Sequence, residues 1–79
     1  MKLPRNVSGS HFADVLCRRW QYTKVHQLGS HIILETSEPA HQRLAVPAHH
    51  PLRLGTLSSI LRAVARHKGV PRDEPIRTL

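Results

Sequence analysis

Apolar residues fall into two helical stripes separated by three short alternating segments. Phe12, Val15, Leu16 and Trp20 recur at the three- and four-residue spacing of one helix face, and Ser8 stands where it can cap the helix start. Arg18 and Arg19 lie near the end, where cations complement the helix dipole. Gln21 ends this helix, although glycine fits a left-handed cap more easily. From Tyr22 to Gln27 the pattern alternates, with Thr23 and Val25 on one side and Tyr22, Lys24 and His26 on the other. Leu28-Gly29-Ser30 is a hairpin-loop signal. A second strand follows from His31 to Thr36. Ile32 and Leu34 share one face, and His31, Ile33 and Glu35 share the opposite one. After a turn at Ser37-Glu38-Pro39-Ala40, a third strand runs from Gln42 to Val46 with Leu44 and Val46 inward. Pro47 closes it, having no N–H for a ladder.

Pro47 to Leu54 reads as an irregular loop containing His49, His50 and Pro51. Gly55-Thr56 then opens a second helix with Thr56 as its cap, and Leu57, Ile60, Leu61 and Val64 form its buried stripe. Gly69 ends it and Pro71 lies just beyond. The tail, Arg72 to Leu79, contains Pro75 and is expected to be a turn with weak order. The result is an α+β chain in the order α-β-β-β-α. Short connections favour a three-stranded antiparallel sheet with both helices on one face. The helices should cover the side carrying Val25, Ile32 and Leu34, which leaves His31 on the open face near a strand end.

The 79 residues allow one domain with a thin core. Charge sharpens the picture: 12 Lys and Arg against 5 acidic residues give a formal net charge of +7, with seven histidines in addition. Such an excess suits a polyanion, either nucleic acid or an acidic protein surface. Cys17 is the single cysteine, so no internal disulfide forms. That fits a reducing cytoplasm, and its place inside an amphipathic pattern makes it core filler rather than a catalytic thiol. No apolar run approaches the roughly 18 residues that span a bilayer. Met1-Lys2-Leu3-Pro4-Arg5 has no apolar core behind its charges, so it does not read as a signal peptide.

Several short pieces occur together in a fixed order. They are Ser8-Gly9-Ser10 before the first helix, Arg18-Arg19, Gln27-x-Gly29-Ser30-His31, Val46-Pro47-x-His49, Leu52-x-x-Gly55-Thr56-Leu57, and Ile60-Leu61-Arg62. In that order, from about Lys2 to Asp73, the chain resembles the HicA toxins of bacterial and archaeal toxin–antitoxin pairs. The resemblance implies a fold like the double-stranded RNA-binding domain. It also implies metal-free cleavage of messenger RNA without a cofactor, and inhibition by a HicB-like antitoxin. The family's catalytic histidine follows the Gly-Ser turn and falls on His31.

Histidine is the side chain whose unperturbed pKa lies closest to neutral, so His31 is the candidate acid or base for attack of a ribose 2′-hydroxyl on the adjacent phosphorus. The RNA-contacting set is expected to be Lys24, His26, Ser30, His49, Arg53, Gly55 and Thr56. Lys24 and His26 share the expected face of His31. Arg53, Gly55 and Thr56 lie at a helix start whose free N–H groups suit a phosphate. Arg62, Arg66 and Lys68 read as the solvated side of the second helix, or equally as a dock for an acidic antitoxin surface. The His49-His50 pair invites a zinc reading, but adjacent residues rarely aim at one ion, and no Cys pair or H-x-x-x-H supports it. Two further readings remain beside the nuclease: a non-catalytic RNA-binding module of the same fold, and a degenerate toxin that keeps only antitoxin binding.

Overall fold

The computed structural model describes residues 3–79. Its elements are α1 (Gly9–Arg19), β1 (Thr23–Leu28), β2 (His31–Thr36), β3 (Gln42–Pro47), α2 (Leu54–Lys68) and α3 (Asp73–Arg77). The strands form one antiparallel sheet in the order β1-β2-β3, with β2 central, and the expected α-β-β-β-α layout is the one observed.

Helix α1 starts and stops as its sequence directs. The Ser8 hydroxyl accepts the backbone N–H of His11 at 3.0 Å, satisfying one donor of the first turn. At the far end Gln21 takes the left-handed conformation, with φ of 65°, and the N–H of Tyr22 returns to the Leu16 carbonyl at 3.2 Å. The chain thus reverses sharply and carries the Tyr22 side chain into the core, 3% exposed.

One residue in β1 re-aims the strand. Lys24 pairs with Leu34 and His26 with Ile33, so Val25 is an extra residue in a bulge. Directly paired residues share a face. Lys24 therefore lies on the helix-covered side with Leu34, and His26 on the open side with Ile33. The expected alternation is corrected in two places. Tyr22 and Lys24 do not share the face of His26, and Val25 is not covered by helices but stands 47% exposed.

The core lies between the sheet and the helices. Phe12, Leu16, Leu34, Val46, Leu57, Leu61 and Val64 are essentially sealed from water, and each such side chain contributes roughly 1.5–3 kcal/mol of burial free energy. Trp20 and Ile60 pack on its margin.

Two expectations for the C-terminal half are corrected. Helix α2 begins at Leu54 with Arg53 as its N-cap and no side-chain cap, so Thr56 lies inside the first turn instead of capping it. The tail is not a simple turn: Asp73–Arg77 forms α3, with Pro75 and Ile76 buried. Pro75 is the third residue of that helix, where its missing N–H would have had no helical partner. The indole N–H of Trp20 donates to the Thr78 hydroxyl at 3.0 Å and ties the tail to α1.

Candidate functional site

Three backbone hydrogen bonds gather distant segments at one end of the domain. The Ala48 N–H donates to the Ser30 carbonyl at 2.6 Å, the Gly9 N–H to the His49 carbonyl at 2.8 Å, and the Leu52 N–H to the Val7 carbonyl at 2.8 Å. The Gly29-Ser30 turn, the start of α1, the loop after β3 and the approach to α2 therefore meet at one corner. Gly9 makes this possible. A β-carbon there would collide with the Pro47 carbonyl, so only glycine lets α1 begin directly against that backbone.

His31 opens β2 at this corner. It pairs with Leu28 across the hairpin and with Pro47 on β3, and it is exposed. Among the described residues its imidazole has no hydrogen-bond partner. Gly29 turns the hairpin with φ of 58°, the left-handed region that suits a residue without a β-carbon. The histidine's position is thus set by a two-residue turn and two flanking strands rather than by side-chain bonds.

The residues expected around it divide. His26 lies on the same open face, diagonally across the hairpin at the typical separation of about 7–8 Å, within reach of one bridging water or a substrate phosphate. Ser30 immediately precedes His31. The His49 side chain is exposed on the stitched loop, and Arg53 and Gly55 are exposed at the start of α2, one and three residues beyond Leu52 and its bond to Val7. Thr56 is half-buried.

Lys24 is displaced from the group. The Val25 bulge places it on the helix side, where it lines a cleft of about 260 Å³ between α1 and the β1 edge with Asp14, Cys17, Gln27 and others. Burial pushes the Cys17 thiol up from its ordinary value, which keeps it a neutral thiol at physiological pH and leaves it poorly nucleophilic.

The charge distribution favours an anion at the corner. All five carboxylates lie in other segments: Asp14, Glu35, Glu38, Asp73 and Glu74. Asp14 pairs with Arg18, Glu35 with Arg43 and His41, and Glu74 with Arg77. Among the described residues no three His, Cys, Asp or Glu side chains come together as a metal-binding group. None of their helices is long and apolar enough to cross a membrane.

Sequence reasoning placed His31 and missed what holds the corner. The signal was present in Ser8-Gly9, a serine cap followed by a residue with no side chain at the first helical position. Why the side chain is absent becomes visible only when Pro47 is brought against it. The chain matches no protein-family model, no curated protein and no solved structure.

Proposed function

We propose that this chain is a HicA-like toxin of a toxin–antitoxin pair: a cytoplasmic, metal-independent endoribonuclease that cleaves messenger RNA and slows translation until a HicB-like antitoxin covers it. The observation that carries the reading is the corner itself. His31 stands exposed at a strand end, and the other motif segments that suggested the family, Ser8-Gly9, Pro47-x-His49 and Leu52 to Gly55, converge on it through three hydrogen bonds.

In this reading His31 moves the proton. As a base it takes the proton of a ribose 2′-hydroxyl, whose oxygen attacks the neighbouring phosphorus. The 5′-oxygen leaves and is protonated by water or by a second group, for which His26 is the nearest imidazole on the same face. Each well-placed proton transfer is worth roughly 10²–10⁴ in rate. Exposed cations at the same end, such as Arg53, would stabilise charge at the phosphorus. Both products are set by the chemistry: a 2′,3′-cyclic phosphate on one fragment and a free 5′-hydroxyl on the other.

The test is incubation of the purified chain with RNA in EDTA, followed by end-group analysis. Cleavage in chelator with cyclic-phosphate ends is the expected result. Binding without cleavage would instead establish an RNA-binding module, and neither would leave an antitoxin-binding remnant.

A further inference from the structure

Away from the His31 corner, α2 and the β3 edge enclose a second concavity of about 390 Å³, lined by Gln42, Ser59, Arg62, Ala63, Arg66 and His67. Gln42 pairs with Thr36, at the opposite end of β2 from His31. Gln42 and Pro47 are the two ends of β3, so cleft and corner stand roughly 16 Å apart along the strand.

The floor of the cleft is held in place while its cations are free. Gln42 accepts from the Tyr22 hydroxyl and donates its amide N–H to the Ala63 carbonyl at 3.2 Å. The His67 imidazole bonds the Ala40 carbonyl at 2.7 Å. Lys68, its neighbour, is drawn back onto the Thr36 hydroxyl and the Glu38 carbonyl and lies 4.7 Å from the Tyr22 ring centre. Arg62 and Arg66 differ. They are exposed, stand one helical turn apart (about 6 Å of rise), and among the described residues neither guanidinium has a partner. No carboxylate lines the cleft; Glu35, on the open sheet face, is already engaged by Arg43 and His41.

Two unpartnered guanidiniums beside a hydroxyl and an amide match phosphate oxygens, which accept the planar fork of arginine in pairs. A protein partner would call for an apolar anchor at the centre of the contact. Among the described residues the large exposed apolar side chains are Val25, Leu28 and Leu54, and none of them lines this cleft.

We infer that the α2–β3 cleft is a second RNA contact, in which Arg62 and Arg66 hold backbone phosphates of a strand whose scissile linkage lies at His31. Ser59 adds a donor beside them. This rests on the reading of the chain as an RNA-binding protein, and it holds whether or not His31 cleaves.

The experiment measures affinity of the full chain for a labelled, uncleavable 2′-O-methyl RNA of about 20 nucleotides across a salt series, with cleavage of ordinary RNA assayed separately. Arg62→Ala/Arg66→Ala should weaken binding about tenfold. It should also lower the slope of log affinity against log salt by about 1.4, two phosphates at roughly 0.7 each for single strands. Arg5→Ala/Arg19→Ala, which removes the same charge elsewhere, should change the slope by much less. Arg62→Lys/Arg66→Lys should restore the slope but only part of the affinity. Equal losses in the two alanine pairs would reduce the effect to net charge and overturn the inference. So would RNA affinity and slope left unchanged by the Arg62/Arg66 pair, the result expected if an acidic protein occupied the cleft. Absent cleavage with binding that still depends on Arg62 and Arg66 sinks the nuclease reading alone.

Discussion

The carbonyl oxygen of Pro47 fills the space that a β-carbon on Gly9 would need. The first turn of α1 therefore rests directly on the backbone leaving β3, and the strand neighbour of Pro47 is His31. Pro47 is thus shared: it pairs with the candidate catalytic histidine across the sheet and carries the start of α1 on its carbonyl. Gly9→Ala must push the helix or the loop aside. It should destabilise the chain by about 2–4 kcal/mol, as overpacking at a rigid backbone does. Urea unfolding followed by the fluorescence of the single tryptophan, Trp20, measures this. An unshifted midpoint would show that the corner has slack.

Among the described residues His31 makes no side-chain bond, so removing it should cost function and little else. His31→Ala is expected to lower RNA cleavage by at least about 10²-fold and to stop growth arrest on expression. Its stability should stay within about 0.5 kcal/mol of the parent, the range of surface substitutions. Undiminished cleavage by a folded His31→Ala chain defeats the assignment.

Tyr22 gives the fold a defined alkaline limit. Burial pushes its phenol from the ordinary 10.0 to about 12. Between those values the unfolded chain has lost the proton and the folded chain keeps it. Stability is therefore intact below pH 10 and falls as pH rises toward 12. Burial shifts Lys68, which lies over the ring, downward, and this partly opposes the fall. Because Tyr22 is the single tyrosine, its ultraviolet phenolate absorbance reports the titration without overlap. Tyr22→Phe should lose about 1 kcal/mol at neutral pH, since Gln42 Oε1 is left without its donor, and should flatten the alkaline decline. An equally steep decline in the phenylalanine variant would assign it to another group.

Gln21 holds a left-handed conformation that a side chain disfavours. Gln21→Gly should stabilise the chain by about 1 kcal/mol in urea unfolding, with cleavage unchanged. A loss of stability would mean that contacts of the glutamine side chain outweigh the backbone relief.

Salt dependence provides a check on the basic surface as a whole. Affinity for RNA should fall steeply and linearly on logarithmic axes as salt rises, because phosphate contacts release counterions. A flat response would mean that the cations of this chain do not meet a nucleic-acid backbone.

The order of elements was legible because it depends on local periodicity. Phe12, Val15 and Leu16 recur at helical spacing, Ile32 and Leu34 at strand spacing, and Gly29 and Gly69 sit where the backbone turns left-handed. These signals need only neighbours within a few residues. Three features did not yield to that reading. The alternation through Tyr22 to His26 was broken by one unpaired residue, Val25, which redirected Lys24 away from His31. Arg53 took the cap position that Thr56 was expected to fill, and Pro75, a breaker on its face, fell in the first turn of α3 where it breaks nothing.

By itself, the sequence determined which segments are helix and strand, which strand residues face the helices in β2 and β3, and that His31 follows a tight turn. Tertiary structure alone decided which cations share a surface with that histidine and which do not. It set the bulge that withdraws Lys24, the stitched corner around His31, and the distant cleft that leaves Arg62 and Arg66 unpartnered. The physical reason is range. Helix and strand patterns are written in side chains a few positions apart, whereas these features arise from backbone pairings between segments far apart in the chain, which local periodicity does not encode.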